Sequence, residues 1–126
     1  MVIDADGCVV TDLPVDMIKA AQVWTNADPA VAFADQTVTL SEDKNAILYA
    51  VTYRMRCSNT GSYKTEIVAP QKNTVLGCNY FNETKFEPVT RNVVISGTSA
   101  DFSSGCVDGD QSDEYVVPVA IYAIYH

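Results

Sequence analysis

Short segments rich in β-branched and aromatic residues recur through most of this 126-residue chain, and polar turns separate them. Neighbouring segments begin roughly ten residues apart, a spacing typical of antiparallel sandwiches and barrels. The predicted strands are residues 37–41, 46–55, 63–69, 74–81, 86–96, 100–103 and 114–125. We expect an interruption of the fifth strand near Pro88. The sequence therefore predicts an all-β fold, a single antiparallel β-sandwich of jelly-roll-like type with at most one short N-terminal helix.

The only tryptophan, Trp24, precedes a turn-forming run that ends at Pro29. Pro29 fixes its own φ and disfavours a helical conformation of Asp28, so the chain should bend there. Beyond the bend, polar residues alternate with Val38 and Leu40, the two-residue period of a strand with one buried face. We expect Trp24 to anchor this sheet.

The first 22 residues form a separate N-terminal segment in this interpretation, and residues 23–126 form the sandwich domain. Two apolar pairs flank an Asp-Gly turn near the start, which predicts a short hairpin. Thr11 or Asp12 could cap a short helix over residues 15–21. Such a segment could serve as an attachment arm in an assembly, or it could cover one end of the sandwich.

Composition limits the classes of partner. Apolar residues make up 48% of the chain and charged residues 19%, which excludes a disordered chain, and no apolar run is long enough to span a bilayer. The 16 acidic and 8 basic residues give a net charge of −8, which argues against binding nucleic acid through phosphate contacts. No secretory signal is readable, although a processed form would look the same. We therefore expect a soluble folded protein without a nucleic-acid partner and without membrane insertion.

The four cysteines, Cys8, Cys57, Cys78 and Cys106, are widely scattered and include no Cys-x-x-Cys pair. Structural zinc sites usually take two ligands from one tight turn, so this spacing does not favour zinc. Two disulfides would fit a secreted protein, whereas free thiols fit a protein that folds in a reducing cytoplasm. We favour free thiols.

The acidic loop that contains Asp108, Asp110 and Asp113 is a weak candidate for a calcium site. Its carboxylates are spaced so that they could surround a hard cation, but the complete calcium-loop pattern is lacking. A solvated acidic loop is the favoured interpretation. We therefore predict no cofactor, with calcium as the one metal that these residues could bind.

The sequence gives little support for catalysis. The only histidine is the terminal His126, and the chain contains neither a Gly-x-Ser-x-Gly motif nor a glycine-rich phosphate loop after a strand. Folding could still bring two carboxylates together as in glycosidases, so that alternative stays open. A small all-β domain without a catalytic cluster is more often a binding or assembly module, and we predict that the protein is not an enzyme.

The C-terminal strand is apolar on both faces, so something must cover its second face. The residues that we expect in this core or oligomer surface are Val117, Val119, Ile121, Tyr122 and Ile124. The cover could be the opposing sheet with the N-terminal segment, or a neighbouring copy. Pro118 lacks a backbone donor, which places the strand at a sheet edge or starts a second pairing there. We favour association, because a bare apolar edge invites aggregation.

Three sequence motifs resemble one known class of proteins. The first is the order Trp24, Asn26, Pro29, Phe33, Gln36-Thr37-Val38 and Leu40; the others are Arg91-Asn92-Val93-Val94-Ile95 and Pro118-Val119-Ala120-Ile121-Tyr122-Ala123-Ile124. Together they are similar to small all-β structural proteins of tailed bacteriophages, over residues 23 to 126. Ala123 departs from the glycine usual in the last motif, and four cysteines are more than such proteins usually carry.

The resemblance implies a virion structural protein at the tail or on a fibre, made in the cytoplasm of the bacterial host and in contact with other virion proteins. We expect it to bind the host surface, through a glycan or a protein, as a symmetric homo-oligomer with a trimer favoured. One alternative is a decoration or head-fibre protein on the capsid exterior. A second is a secreted, disulfide-stapled, lectin-like binding module.

Overall fold

The computed structural model describes residues 2–3, 9–10, 18–58, 63–82 and 84–126. Twelve strands lie within these ranges: β1 (Val2–Ile3), β2 (Val9–Val10), β3 (Lys19–Thr25), β4 (Gln36–Thr39), β5 (Leu48–Arg56), β6 (Tyr63–Val68), β7 (Thr74–Asn82), β8 (Lys85–Ser96), β9 (Ser99–Phe102), β10 (Cys106–Val107), β11 (Asp110–Gln111) and β12 (Tyr115–Tyr125). The described residues contain no helix, and so none long and apolar enough to cross a membrane.

Two antiparallel sheets form the body of the protein. The first has four strands in the order β3-β12-β5-β6. The second is built on β8, which pairs with β7 along one edge and with β9 and β10 along the other, while β4 lies beside β9 and β11 beside β10. Buried apolar side chains of both sheets form one core. The predicted antiparallel β-sandwich is confirmed.

The two-residue period of the strands explains how the core is filled. On β5, Tyr49, Val51 and Tyr53 are buried, as the sequence predicts, and Ala50 and Thr52, which alternate with them, are partly exposed on the other face. On β8, Val93 and Ile95 are fully buried while their neighbours are not. Burial of side chains of this size stabilises a fold by about 1.5–3 kcal/mol each.

Two predictions about the second sheet need correction. β8 runs without interruption from Lys85 to Ser96, and Pro88 lies within it opposite Asn79 of β7. A proline removes only its own donor, and the carbonyl oxygen of Pro88 still accepts a hydrogen bond from the backbone N–H of Asp108 at 2.8 Å. Residues 104–113, for which no strand is predicted, contain the short strands β10 and β11.

The N-terminal segment differs in part from its prediction. The helix predicted over residues 15–21 is wrong for residues 19–21, which begin β3; there Lys19 pairs with Tyr125 and Ala21 with Ala123. One or two helical turns are marginal alone, and the ladder with β12 is the stronger alternative. Residues 11–17, with the predicted helix cap, lie outside the described residues. The predicted boundary after residue 22 falls inside β3.

The hairpin predicted at the start of the chain is present as paired strands. β1 and β2 are antiparallel, with Val2 opposite Val10 and Ile3 opposite Val9. The Asp-Gly turn between them lies outside the described residues.

The C-terminal strand β12 lies between β3 and β5 and is not an edge strand. Pro118 is opposite Tyr53 of β5, and pairing with β3 begins two residues later at Ala120. The expectation of an edge is therefore wrong, and the alternative of a second pairing that starts near Pro118 holds. From Ala120 to Ile124, ladders cover the backbone of this strand on both sides.

The five residues predicted for the core or oligomer surface divide between two environments. Val117 and Ile121 are fully buried in the core. Val119 is partly exposed beside an irregularity of the ladder, whereas Tyr122 and Ile124 lie on the side of the sheet that faces away from the core. Only part of the predicted surface is therefore available to a neighbouring copy.

Candidate functional site

An open groove of about 360 Å³ lies along β3, between that strand and the end of β4. Its lining residues are mainly polar and all uncharged: Gln22, Val23, Trp24, Thr25, Thr39 and Ser41. The four polar residues are exposed, Trp24 is partly buried and Val23 is buried. The groove therefore offers hydroxyl and amide groups around one large aromatic ring.

Trp24 is held by two other aromatic rings. Its ring centroid lies 6.1 Å from that of Phe33 in an edge-on arrangement and 5.9 Å from that of Phe102. Phe33 and Phe102 also meet edge-on, at 5.5 Å. Phe102 belongs to β9, so Trp24 links the first sheet to the second, in agreement with the anchoring role predicted from the sequence. Aromatic pairs of this kind contribute about 0.5–1.5 kcal/mol beyond the area they bury.

A buried cation lies behind this aromatic cluster. The guanidinium carbon of Arg91 is 5.3 Å from the ring centroid of Phe33, and the side chain is 1% exposed. Its nitrogens donate hydrogen bonds to the carbonyl oxygens of Ser103 at 2.6 Å, Val116 at 2.7 Å and Tyr115 at 3.1 Å. Burial lowers the pKa of Arg91 to about 10, still far above neutral pH, so the side chain is charged.

Hydrogen bonds fix both walls of the groove. The backbone N–H of Asn26 donates to the carbonyl oxygen of Val119 at 2.8 Å, and its side-chain amide donates to that of Pro118 at 2.8 Å. On the other wall, the N–H of Ser41 donates to the carbonyl oxygen of Val23 at 2.7 Å. The backbone on both sides of the groove is therefore held by hydrogen bonds, and the groove is already formed in the unbound chain.

A second surface is the face of the first sheet that points away from the core, here called the outer sheet face. Its central residues occupy alternate positions on four strands and are uncharged: Ala20, Gln22, Leu48, Ala50, Thr52, Thr65, Ile67, Tyr122 and Ile124. At one end the same alternation continues to Arg54 and Tyr63, which are opposite each other and in contact. Ile67, Ala50, Tyr122 and Gln22 form one row across the sheet. Ile67 is 54% exposed and Tyr122 is 36% exposed.

A third surface is the tip of the hairpin formed by β7 and β8. Phe81 and Phe86 are directly opposite each other, with ring centroids 5.0 Å apart, and are 56% and 69% exposed. Beside them, the ammonium group of Lys85 lies 3.4 Å from carboxylate oxygens of both Glu87 and Asp108. The two rings cover part of each other's surface, which lowers the cost of leaving them exposed.

The weak calcium candidates are not brought together. Asp108 faces Lys85 at 3.4 Å, a carboxylate oxygen of Asp113 accepts a hydrogen bond from the N–H of Gly105 at 3.3 Å, and Asp110 is exposed on β11. Within the part of the chain that the structure describes, no group of three or more His, Cys, Asp or Glu side chains could hold a metal ion. The acidic loop is therefore used for ion pairing and for local hydrogen bonds.

The three cysteines among the described residues, Cys57, Cys78 and Cys106, are free. Burial raises the pKa of the Cys78 thiol, which makes this sulfur less nucleophilic at neutral pH. Cys8 lies outside the described residues. The favoured expectation of free thiols agrees with the described part of the chain.

Sequence reasoning found Trp24 and the Arg91 motif but missed the rest of the groove. The sequence predicts Thr39 and Ser41 only as exposed residues of the strand at 37–41, and it assigns Gln22 to the N-terminal segment. No local signal could have assigned them, because Ser41 follows β4 of the second sheet whereas its contact, Val23, belongs to β3 of the first.

Comparisons with protein-family models, with curated proteins and with solved structures found no match to this chain.

Proposed function

We propose that this protein is a structural component of a tailed bacteriophage virion, located at the tail or on a fibre, and that it binds the host surface without catalysing a reaction. The support is the similarity of its three motifs to small virion proteins, together with the way these motifs meet in space. Phe33 of the first motif packs between Trp24 and Arg91, and Asn26 of the first motif donates to Pro118 of the last. The three motifs thus form one structural unit.

The observation that carries the assembly part of this proposal is the outer sheet face. Its central part bears no charged side chain, and Arg54 at its end is only 8% exposed, although the chain has 16 acidic residues and a net charge of −8. Two copies can bring such faces together without burying a charge, whereas contact through the acidic surface would be repulsive. Interfaces are depleted of charged residues at their centre in the same way.

The size of the outer sheet face also fits association. Four strands spaced about 4.8 Å apart and about 25 Å long give a face of roughly 500 Å². A pair of faces would bury roughly 1,000 Å², which is the lower end of the range for specific interfaces. Tyr122 and Ile67 lie within one row at the centre of this face and are both large and exposed. We propose a symmetric homo-oligomer; the resemblance favours a trimer, whereas direct pairing of two outer sheet faces would give a dimer.

The free thiols favour this function over a secreted, disulfide-stapled lectin-like module. Small secreted domains usually depend on disulfides, and Cys57, Cys78 and Cys106 form none. We propose that the N-terminal segment attaches the domain to other virion proteins. Because residues 19–22 belong to β3, the arm would consist of residues 1–18.

Light scattering tests the assembly. The purified protein should have a mass that is a multiple of the 13.7 kDa of one chain, with three copies expected from the resemblance and two from direct pairing of the outer sheet faces. Tyr122→Lys should reduce the mass to that of a monomer, because it places an ammonium group at the centre of the outer sheet face. Phe86→Lys is the matched control, since it removes a more exposed ring from a different surface. A wild-type monomer at high concentration, or an unchanged mass for Tyr122→Lys, would refute assembly through this face.

The virion itself tests the location. Purified particles of the phage that encodes this chain should contain the protein, and gold-labelled antibodies should mark the tail or a fibre. Labelling of the capsid exterior would support the decoration-protein alternative instead. The fluorescently labelled protein should bind host cells and compete with the phage for adsorption. Absence from purified particles would refute the virion proposal.

A further inference from the structure

We infer that the groove beside Trp24 is the binding site for a neutral saccharide unit. The inference rests on the proposed binding to the host surface, and it adds the place on the molecule and the chemical class of the ligand. It is carried by the lining of the groove, by the way Trp24 is held, and by a hydrogen bond that closes the edge of β3.

The lining selects an uncharged ligand with many hydroxyl groups. Thr25, Thr39 and Ser41 supply hydroxyl groups that both donate and accept hydrogen bonds, and Gln22, which lies on the edge strand of the outer sheet face, supplies an amide with the same dual capacity. None of the six lining residues is charged, so the groove has no cationic partner for a phosphate, sulfate or carboxylate. Hydroxyl groups of a sugar can be both donors and acceptors and therefore match this set.

Trp24 supplies the apolar surface against which a sugar ring would pack. One face of a pyranose ring consists largely of C–H groups, which pack against an indole ring, while the hydroxyl groups at the rim remain free for hydrogen bonding. Phe33 and Phe102 hold the indole from behind at 6.1 and 5.9 Å between centroids. Little conformational freedom is then lost on binding, which favours affinity from a small contact area. A volume of about 360 Å³ is near the lower end of ligand sites and suits one or two sugar rings.

Two other ligand classes fit the groove less well. An extended peptide that added a strand to β3 would need the backbone acceptor of Val23, but the N–H of Ser41 already donates to it at 2.7 Å. A nucleotide could stack on Trp24, but its phosphates would meet a chain of net charge −8 and no cation in the lining. The groove therefore favours a neutral saccharide over both.

The test uses the full-length protein and fluorescence from its single tryptophan. Neutral oligosaccharides that contain glucose, galactose or N-acetylglucosamine are titrated while the emission of Trp24 is recorded, and the same panel is immobilised to measure binding directly. At least one neutral sugar should bind and change the emission. Thr39→Val should weaken this binding about tenfold, which corresponds to the loss of one hydrogen bond of roughly 1.4 kcal/mol.

Thr37→Val is the matched control, because Thr37 lies on the same face of β4 but does not line the groove. It should change the affinity by less than about twofold. Trp24→Phe, a milder change than truncation to alanine, should abolish measurable binding on immobilised sugars, and circular dichroism checks that each variant is folded. Equal effects of Thr39→Val and Thr37→Val would overturn the assignment of the groove.

The remaining outcomes separate this inference from the proposed function. If host cells are bound but no neutral saccharide binds at millimolar concentration, the inference is wrong and the proposed function stands. Binding of only anionic saccharides or only peptides would also overturn it. If a neutral saccharide binds through the groove but the chain is absent from virions, the inference stands and the virion proposal fails.

Discussion

Replacing Arg91 by methionine should cost about 3 kcal/mol or more of folding stability. The guanidinium donates to the carbonyl oxygens of Ser103, Tyr115 and Val116, and methionine keeps the apolar length of the side chain but donates nothing. Each buried acceptor left without a donor costs about 1–3 kcal/mol, so three of them set the expected loss. Relief of the cost of burying the charge offsets part of it.

Urea unfolding measured by tryptophan fluorescence and by circular dichroism gives the free energy. Arg56→Met is the matched control, because the side chain of Arg56 is 32% exposed and pairs at 3.7 Å with Glu114, which is 52% exposed. Exposed pairs contribute at most about 1 kcal/mol, and the guanidinium of Arg56 also lies 5.2 Å from the ring centroid of Tyr115, a contact of about 0.5–1 kcal/mol, so this variant should lose no more than about 2 kcal/mol. If Arg91→Met were no less stable than Arg56→Met, the guanidinium would not be holding these carbonyl groups and the reasoning would fail.

Two further predictions concern the stability of the sandwich. Gly77→Ala should cost about 1–3 kcal/mol in urea unfolding, because a Cβ at Gly77 would lie 2.0 Å from the carbonyl oxygen of Val89 and force β7 away from β8; wild-type stability would contradict this. Burial and the Glu66 carboxylate raise the pKa of Tyr53, so the fold keeps a proton that the unfolded chain loses above about pH 10. The contribution of Tyr53 to stability should therefore be complete below about pH 10 and fall above it. Loss of the proton of Arg91, whose pKa is lowered to about 10, acts in the opposite direction and raises the folding stability over the same range. Tyr53→Phe should reduce the net decline between about pH 10 and 11, and an unchanged slope would argue against this role of Tyr53.

The sandwich could be predicted because its strands show their period in the sequence. Tyr49, Val51 and Tyr53 alternate with less buried residues, and all three point into the core as expected. Prediction failed where a distant strand decides the structure. Residues 19–21 have no strong local preference, and they become a strand because β12, about a hundred residues later in the chain, provides a ladder for them.

Of the residues in the candidate site, only Trp24 could be predicted from the sequence. Trp24 is unique in composition, so it was found from the sequence. Thr39 and Ser41 are ordinary strand and turn residues until the fold brings them beside β3. The partners of Arg91 are backbone carbonyl oxygens, which no pattern of side chains reveals. Local sequence therefore predicts elements, whereas the groove results from contacts between the sheets.

The buried arginine explains how this acidic sandwich keeps its groove rigid. Val116 has a φ of 48°, which is unfavourable for a β-branched residue, and its carbonyl oxygen accepts the hydrogen bond from Nε of Arg91 at 2.7 Å. A planar guanidinium can satisfy several carbonyl groups in fixed directions at once, which the ammonium group of a lysine does less well. The same guanidinium lies against Phe33, which packs against Trp24. The contacts that hold the strained start of β12 therefore also hold the aromatic floor of the groove, so the core would preorganise the site that we propose at Trp24.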